Sequence, residues 1–168
     1  MLQIESFYGT LENESDCIVL IDMARNGLIP RIQRRLTSDE RRAIRHGSVF
    51  VYCEEESAIR RWTDDMAWSP SRIQGAFMAY KQMLATSPMI KKTYSATCAS
   101  RNFHIVAYST ASDRHSALPS PSLLYTASRL PTDIRIKKKL SFRTIDLPRP
   151  HIEHPETHDD FALGTYWY

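Results

Sequence analysis

The feature that most constrains the fold of this chain is residues 57–80, SAIRRWTDDMAWSPSRIQGAFMAY, in which large aromatic rings are interleaved with guanidinium groups. Two of the three tryptophans, Trp62 and Trp68, stand six residues apart with the acidic pair Asp64-Asp65 between them. Arginines and turn-forming residues surround the rings: Arg60, Arg61, Arg72 and Ser69-Pro70-Ser71. Because a core segment keeps its aromatics among apolar neighbours, this composition predicts a loop that contacts another molecule.

Length and composition favour one globular domain with a tail. The chain has 168 residues, of which 42% are hydrophobic and 10% aromatic, which is enough for one core. The three cysteines are far apart and lack a CxxC spacing, so neither a disulfide framework nor a zinc ribbon is indicated. No apolar run reaches the roughly 20 residues that span a bilayer, and the first residues do not resemble a signal peptide. We expect a soluble, intracellular protein with no membrane partner.

The charge is unevenly distributed along the chain. Residues 1–24 carry five acids and no base, residues 25–101 carry fourteen Lys or Arg against seven acids, and residues 102–168 carry eight against seven. A basic middle section is typical of a surface that binds a polyanion, because phosphate contacts need clustered Arg and Lys. An ordinary solvated surface would have the same charges, so the alternative stays open.

The first third of the chain predicts a strand and two helices. Residues 7–11 predict a short strand, and the next segment predicts a helix that begins at Ser15 or Asp16 and ends at Asn26-Gly27. Thr37 and Glu40 then fit a capping box, which predicts a second helix that ends at His46-Gly47.

Six arginines lie within the fifteen residues 31–45. On a helix Arg41, Arg42 and Arg45 would be neighbours and would repel one another unless an anion lay against them. Phosphate groups of a nucleic acid are one such anion, and acidic side chains of this chain, such as Glu54-Glu55-Glu56, are the other.

Thr37 is a candidate phosphorylation site, because Arg34-Arg35-Leu36-Thr37 is the pattern that basophilic kinases favour. A phosphate there would suit the helix N-terminus but would offset part of the arginine cluster. The hypothesis is a switch against polyanion binding.

The middle of the chain predicts strands around one further helix. Residues 48–53 predict a strand followed by an acidic turn, and Pro70 or Ser71 is expected to begin a helix that carries Ile73, Phe77 and Tyr80 on one face. Gly75 inside that helix suggests close approach of another backbone. Residues 90–98 and 103–110 predict a β-hairpin.

Four motifs in this order resemble the WOPR-domain family, sequence-specific DNA-binding regulators of fungi. They are GLIPRIQRRL, GSVFVYCEEESAIRRWTDDMAWSPSRIQGAF, MIKKTYSAT and FHIVAYST. RRWTD followed by WSPSRI is specific, since no general fold rule demands that string. The resemblance covers residues 7–125, with a first block of residues 7–84 and a second block of residues 89–125.

The resemblance implies the fold, the partner and the contact residues. The expected fold is a single α+β domain in which the two blocks intertwine around a mixed, mainly antiparallel sheet with several helices. The implied function is regulation of transcription in the nucleus by binding double-stranded A/T-rich DNA through both grooves, with other transcription factors as further partners. The DNA-facing residues carried over from the family motifs are Arg31, Arg34, Arg35, Arg61, Trp62, Thr63, Asp64, Trp68, Ser69, Ser71, Arg72, Lys91, Lys92 and Thr93.

These residue types are expected to have different roles in DNA binding. Arginine suits the narrow minor groove of A/T-rich DNA and also pairs with guanine, whereas lysines and hydroxyls hold phosphates. Asp64 is expected to orient a neighbouring arginine, with acceptance from a cytosine amino group as the alternative. The two tryptophans are expected to support the loop from beneath, the alternative being contact with sugars.

Two departures from the family pattern bear on the presumed DNA face, whereas a third, Ala107-Tyr108 in place of paired tyrosines, is interpreted as a change in packing. Asp65 and Ala58 stand where the family usually has glycine, and a backbone turn at positive φ is harder for both. Asp65 also adds a negative charge beside the presumed DNA face. An alternative function is therefore a divergent member that acts as a protein-interaction module with weak or non-specific DNA binding.

Neither catalysis nor a cofactor is expected. The sequence carries no nucleophile elbow, Gly-rich phosphate loop or metal-binding box. Beyond residue 125, residues 134–142 predict an added edge strand within residues 126–147. Residues 148–168, rich in Pro, His and acids, are expected to form a solvated tail without a metal site.

Overall fold

The computed structural model describes residues 4–110, 118–124 and 131–137. The elements in chain order are β1 (Phe7–Tyr8), α1 (Glu14–Arg25), α2 (Ser38–Arg42), β2 (Ser48–Cys53), α3 (Glu54–Ser57), β3 (Arg72–Gln74), β4 (Phe77–Lys81), β5 (Met89–Cys98), β6 (Arg101–Thr110), α4 (Pro121–Leu124) and β7 (Ile134–Ile136). The predicted tail lies outside the described residues. No helix in the described part of the chain is long and apolar enough to cross a membrane.

One seven-stranded sheet organises the fold. Its order is β1-β2-β6-β5-β4-β3, with β7 also paired to β5. All of the named strand pairs are antiparallel. The hairpin β5–β6 of the second block therefore lies between β2 and β4 of the first block, which confirms the α+β class and the intertwined arrangement of the two blocks.

Helix α1 covers one face of the sheet, called here the α1 face. Its apolar residues Cys17, Leu20 and Ile21 are fully buried and pack on Val49 and Val51 of β2. Asn13, rather than the predicted Ser15 or Asp16, caps the helix, and Asp16 completes the capping box. The helix ends at the predicted place because Gly27 adopts a φ of 73°, which glycine permits without a Cβ clash.

A second core lies on the opposite face, called here the loop face. Because side chains alternate along a strand, Phe50 and Tyr52 of β2 point to this face, as do Val106 and Tyr108 of β6. Among the described residues, α1 is the only helix longer than five residues, and it lies on the other face. The loop face is covered instead by apolar residues of two segments, 32–44 and 59–68, which overlap the segments predicted to contact DNA: Ile32, Leu36, Ile44, Ile59, Trp62, Met66 and Trp68.

The prediction of a helix that begins at Pro70 or Ser71 is wrong, since residues 72–81 form the β3–β4 hairpin. Gly75 is at the turn with a φ of 59°, and a Cβ there would meet no atom within 4 Å. Glycine is therefore favoured by the backbone conformation rather than by the predicted close approach of another backbone. Pairing of β4 with β5 of the second block overrides the helical spacing of the apolar residues.

Three other predictions are corrected in their extent. Helix α2 keeps the predicted capping box of Thr37 and Glu40 but ends at Arg42, because the chain turns so that Ile44 is buried. The acidic turn after β2 is the short helix α3. The added strand is present as β7, Ile134–Ile136, which pairs with β5; the rest of the predicted strand lies outside the described residues.

Candidate nucleic-acid interface

The Trp/Arg loop, defined as residues 58–71, contains two non-glycine residues in the left-handed conformation. Ala58 and Asp65 both have a φ of 57°. These are the two positions at which the resemblance led us to expect glycine, so the expected positive φ is confirmed. For residues with a Cβ this conformation costs roughly 1–2 kcal/mol each, and contacts elsewhere in the loop must stabilise it.

Asp64 provides most of those contacts from a buried position beneath the loop. Its Oδ2 accepts hydrogen bonds from Tyr108 Oη at 2.6 Å and from Lys91 Nζ at 2.9 Å. Its Oδ1 accepts from Trp68 Nε1 at 2.9 Å and from Met66 N at 3.3 Å. The expectation that Asp64 orients an arginine is wrong, since its cationic partner among the described residues is Lys91.

The carboxylate of Asp64 stays ionised despite its burial. Burial alone would raise the pKa of Asp64, but hydrogen bonds from Tyr108, Lys91 and Trp68 hold it below its ordinary value. Burial and the same carboxylate raise the pKa of Tyr108, so its hydroxyl keeps a proton to donate. The buried network therefore consists of a charged pair whose remaining lone pairs are filled by neutral donors.

The two tryptophans support the loop, as predicted. Trp62 stacks on Tyr52 with ring centroids 5.6 Å apart, and its Nε1 donates to Tyr108 Oη at 2.8 Å. Trp68 lies below Lys91, whose Nζ is 4.3 Å from the ring centroid. Both rings therefore pack toward the sheet and fix the loop backbone, while the neighbouring side chains of Arg61 and Thr63 are exposed.

The arginines of the two segments fall into two groups. Arg31 is paired with Glu56 at 2.8 Å, and Arg34 grips both oxygens of Glu40 at 2.8 and 2.9 Å. The Arg34 guanidinium lowers the pKa of Glu40 to about 2, with help from the Thr37 backbone N–H. Within residues 31–72, the exposed arginines that have no carboxylate partner among the described residues are Arg35, Arg61 and Arg72.

The arginines around α2 are balanced by acids of this chain rather than being left for an external anion. Arg41 pairs with Asp65 at 2.5 Å, Arg42 with Asp39, and Arg45 with Glu5 at 3.3 Å. The sequence left open whether phosphate groups or acidic side chains of this chain lie against these arginines. In the structure the acidic side chains do. The specific acids are different from the Glu54-Glu55-Glu56 suggested, although Glu56 does pair with Arg31 and Arg101.

Strand pleating separates the two lysines predicted to act together. Lys91 lies on the loop face, where its ammonium is buried against Asp64. Lys92 lies on the α1 face, where Nζ donates to Leu11 O at 3.2 Å and stands 5.1 Å from the Phe77 ring centroid. The neighbouring Thr93 returns to the loop face and is partly buried.

The register also places Arg72 relative to these lysines. Arg72 is opposite Ala79, and Ala79 is opposite Lys92, so all three side chains share the α1 face. Two hydrogen bonds connect Ser69, at the end of the loop, to Lys81 of β4. Ser69 N donates to Lys81 O, and Lys81 N donates to Ser69 Oγ. Ser71 is exposed just before the edge strand β3.

Sequence reasoning missed three contributors to this site. Tyr52 and Tyr108 support Trp62 and Asp64, and Arg41 holds Asp65. Alternation along β2 and β6 would have placed the two tyrosines on one face, but their partners could not be read without the strand register. No signal in the sequence pairs Arg41 with Asp65.

The same described residues give no sign of a metal centre. Within residues 4–110, 118–124 and 131–137 no group of three or more His, Cys, Asp or Glu side chains is arranged to hold a metal ion. Thr37 is exposed, and its Oγ1 accepts a hydrogen bond from Glu40 N at 3.3 Å.

Fungal regulators are similar to this chain in sequence. It is 41% identical over 103 residues to the cAMP-independent regulatory protein pac2 of Schizosaccharomyces pombe, covering 55% of this chain and 44% of pac2. It is 43% identical over 79 residues to the transcriptional regulator MIT1 of Saccharomyces cerevisiae, covering 46% of this chain and 12% of MIT1. The chain thus spans less than half the length of these relatives.

The structure is similar to that of the WOPR domain of Wor1 from Candida albicans, solved in complex with a 13-base-pair double-stranded DNA. The TM-score is 0.70 at 30% sequence identity, covering 79% of this chain and 94% of that chain. This likeness confirms the WOPR resemblance drawn from the motifs. The model of the Gti1/Pac2 family matches residues 6–89, and the chain belongs to that family.

Proposed function

We propose that this chain is a sequence-specific DNA-binding regulator of transcription that acts in the nucleus. The observation that carries the proposal is that three exposed arginines within residues 31–72, Arg35, Arg61 and Arg72, have no carboxylate partner in the described part of the chain, in a domain whose structural relative was solved on DNA. The neighbouring arginines are balanced within the chain. An unpaired guanidinium is available to a phosphate or a base without first breaking an internal ion pair.

The positions of these arginines suit contact with both grooves. Arg61 belongs to the loop that packs on the loop face, whereas the register puts Arg72 on the α1 face of the edge strand. The two guanidinium groups thus belong to opposite faces of the sheet, and we infer that each contacts a different groove of a duplex. Arginine in a narrow minor groove favours A/T-rich DNA, because the negative potential is enhanced there.

The remaining predicted contact residues divide into contact and support roles. The exposed hydroxyls of Thr63 and Ser71 can donate to phosphates, which would set the register on the duplex. The hydroxyl of Ser69 instead donates to Pro70 O and accepts from Lys81 N, so Ser69 holds the end of the loop. Asp64 and Lys91 are buried and satisfied by each other, so their part is to hold the loop. Trp62 and Trp68 also support the loop. Arg31 and Arg34 would have to leave Glu56 and Glu40 before either could bind a phosphate.

Charge reversal at Arg61 tests the proposal against a matched control. Arg61→Glu is expected to abolish specific binding of an A/T-rich duplex, because a phosphate or groove contact becomes a repulsion. Arg101→Glu changes the charge equally but lies at the β5–β6 hairpin, where Arg101 pairs with Glu56, and should leave most of the affinity. Equal effects of the two variants would indicate a purely non-specific charge effect and favour a protein-interaction module instead.

A further inference from the structure

We propose that Asp65, through its ion pair with Arg41, is a positioning residue that sets how well the Trp/Arg loop discriminates between DNA sequences. The inference rests on the proposed function, since it assigns a role in duplex recognition. It concerns the one acidic side chain of the loop that is exposed, whereas Asp64 is buried. An exposed carboxylate in the same loop as Arg61 is otherwise unfavourable for binding a polyanion.

The guanidinium of Arg41 joins three parts of the candidate interface. Its Nε lies 2.5 Å from Asp65 Oδ2, its Nη1 donates to Leu36 O at 2.7 Å, and its Nη2 donates to Ser38 Oγ at 3.2 Å. Leu36 directly follows Arg35 in the segment that carries an unpaired arginine. One side chain therefore links that segment, helix α2 and the Trp/Arg loop.

The pair with Asp65 holds by charge rather than by a well-aligned hydrogen bond. The buried Nε of Arg41 has no aligned acceptor among the described residues, and the side chain of Asp65 is 58% exposed. Such a pair adds little to stability in water, and the left-handed backbone at Asp65 is one that glycine adopts at lower cost than aspartate. Stability alone therefore does not account for an aspartate here, whereas fixing the loop relative to Arg35 does.

The change in DNA affinity on removing the charge of Asp65 distinguishes positioning of the loop from simple electrostatic repulsion of the duplex. If Asp65 merely adds a negative charge near the duplex, removing the charge raises affinity for every DNA sequence. If Asp65 positions the loop, removing the charge frees the loop from Arg41. Affinity for the preferred duplex then falls, while affinity for a scrambled duplex is kept or raised.

The test compares the full chain with its Asp65→Asn variant on a preferred A/T-rich duplex and a scrambled duplex of equal length. Asparagine keeps the shape of the side chain and tolerates the left-handed conformation, so only the charge pair is removed. We expect the ratio of the two affinities to fall by about two- to fivefold with no decrease in Tm. Asp39→Asn breaks a comparable ion pair on the same helix, Arg42 with Asp39, and should leave the ratio unchanged.

Two further variants separate positioning from folding. In Arg41→Gln the partner is gone, so adding Asp65→Asn should cause no further loss of discrimination. Asp65→Gly relieves the backbone strain as well and should lose discrimination while gaining Tm. Unchanged or improved discrimination by Asp65→Asn overturns the inference, whereas a wild-type chain that binds no duplex overturns the proposed function itself.

Discussion

Replacing Asp64 by asparagine is expected to destabilise the whole domain, although the substitution changes only one oxygen to an amide nitrogen. The Lys91 side chain is 11% exposed and that of Asp64 is 5% exposed, so the variant leaves a buried ammonium without a counter-charge. Removing one member of a buried ion pair costs about 3–5 kcal/mol. The remaining amide oxygen can still accept from Tyr108 or Trp68, which favours the lower end, about 3 kcal/mol.

The assay for this prediction is chemical and thermal unfolding of Asp64→Asn beside a surface control. For a domain of this size, a loss of about 3 kcal/mol lowers Tm by roughly 10 °C. Asp39→Asn removes a carboxylate from an exposed pair and should cost less than about 1 kcal/mol. A loss from Asp64→Asn no larger than that of the control would refute the buried network as the support of the Trp/Arg loop.

Three other variants test separate parts of the interface. Arg35→Gln should reduce the slope of log K against log salt by about 0.9 if Arg35 contacts one phosphate, and binding isotherms at several salt concentrations measure it; an unchanged slope removes Arg35 from the contact set. Thr37→Glu, a mimic of the candidate phosphorylation, should weaken duplex binding through its charge beside Arg35, whereas Thr37→Ala, which loses only the helix cap, should bind normally; equal affinities of the two would argue against a switch. Glu40 has its pKa lowered from 4.5 to about 2, so its contribution to stability is complete above about pH 4.5 and is lost as the pH falls through about 2; unfolding of wild type and Glu40→Gln should therefore differ at pH 7 and converge near pH 2, and a constant difference would contradict the Arg34 pair.

Elements set by local signals could be predicted from the sequence. The capping box of Thr37 and Glu40, the stop at Gly27 and the strand Ser48–Cys53 depend on neighbours in the chain, and all three are present. The β3–β4 hairpin could not be predicted in this way. Its apolar spacing also fits a helix, and the strand is chosen because β5, from the second block, supplies the hydrogen-bonding partner.

The candidate site shows the same division between local and long-range information. The motif indicated that the segments around Arg35 and Arg61 matter, and both arginines are exposed. It did not indicate that Asp64 would bind Lys91, because that contact depends on the register between β4, β5 and β6. The opposite orientation of Lys92 follows from the pleating of a strand that the sequence did predict. Which arginines are unpaired likewise depends on acids distant in sequence, such as Glu5 and Glu56.

Sequence-specific DNA recognition is tested most directly by measuring binding of the purified full chain to an A/T-rich duplex and to a G/C-rich duplex of equal length across a salt titration. A sequence-reading domain should prefer the A/T-rich duplex at every salt concentration, with log K falling by about 0.9 per phosphate neutralised. Equal, weak and steeply salt-dependent binding to both duplexes would contradict sequence recognition. In that case the basic surface would bind any polyanion, and a protein partner would become the better account of the Trp/Arg loop.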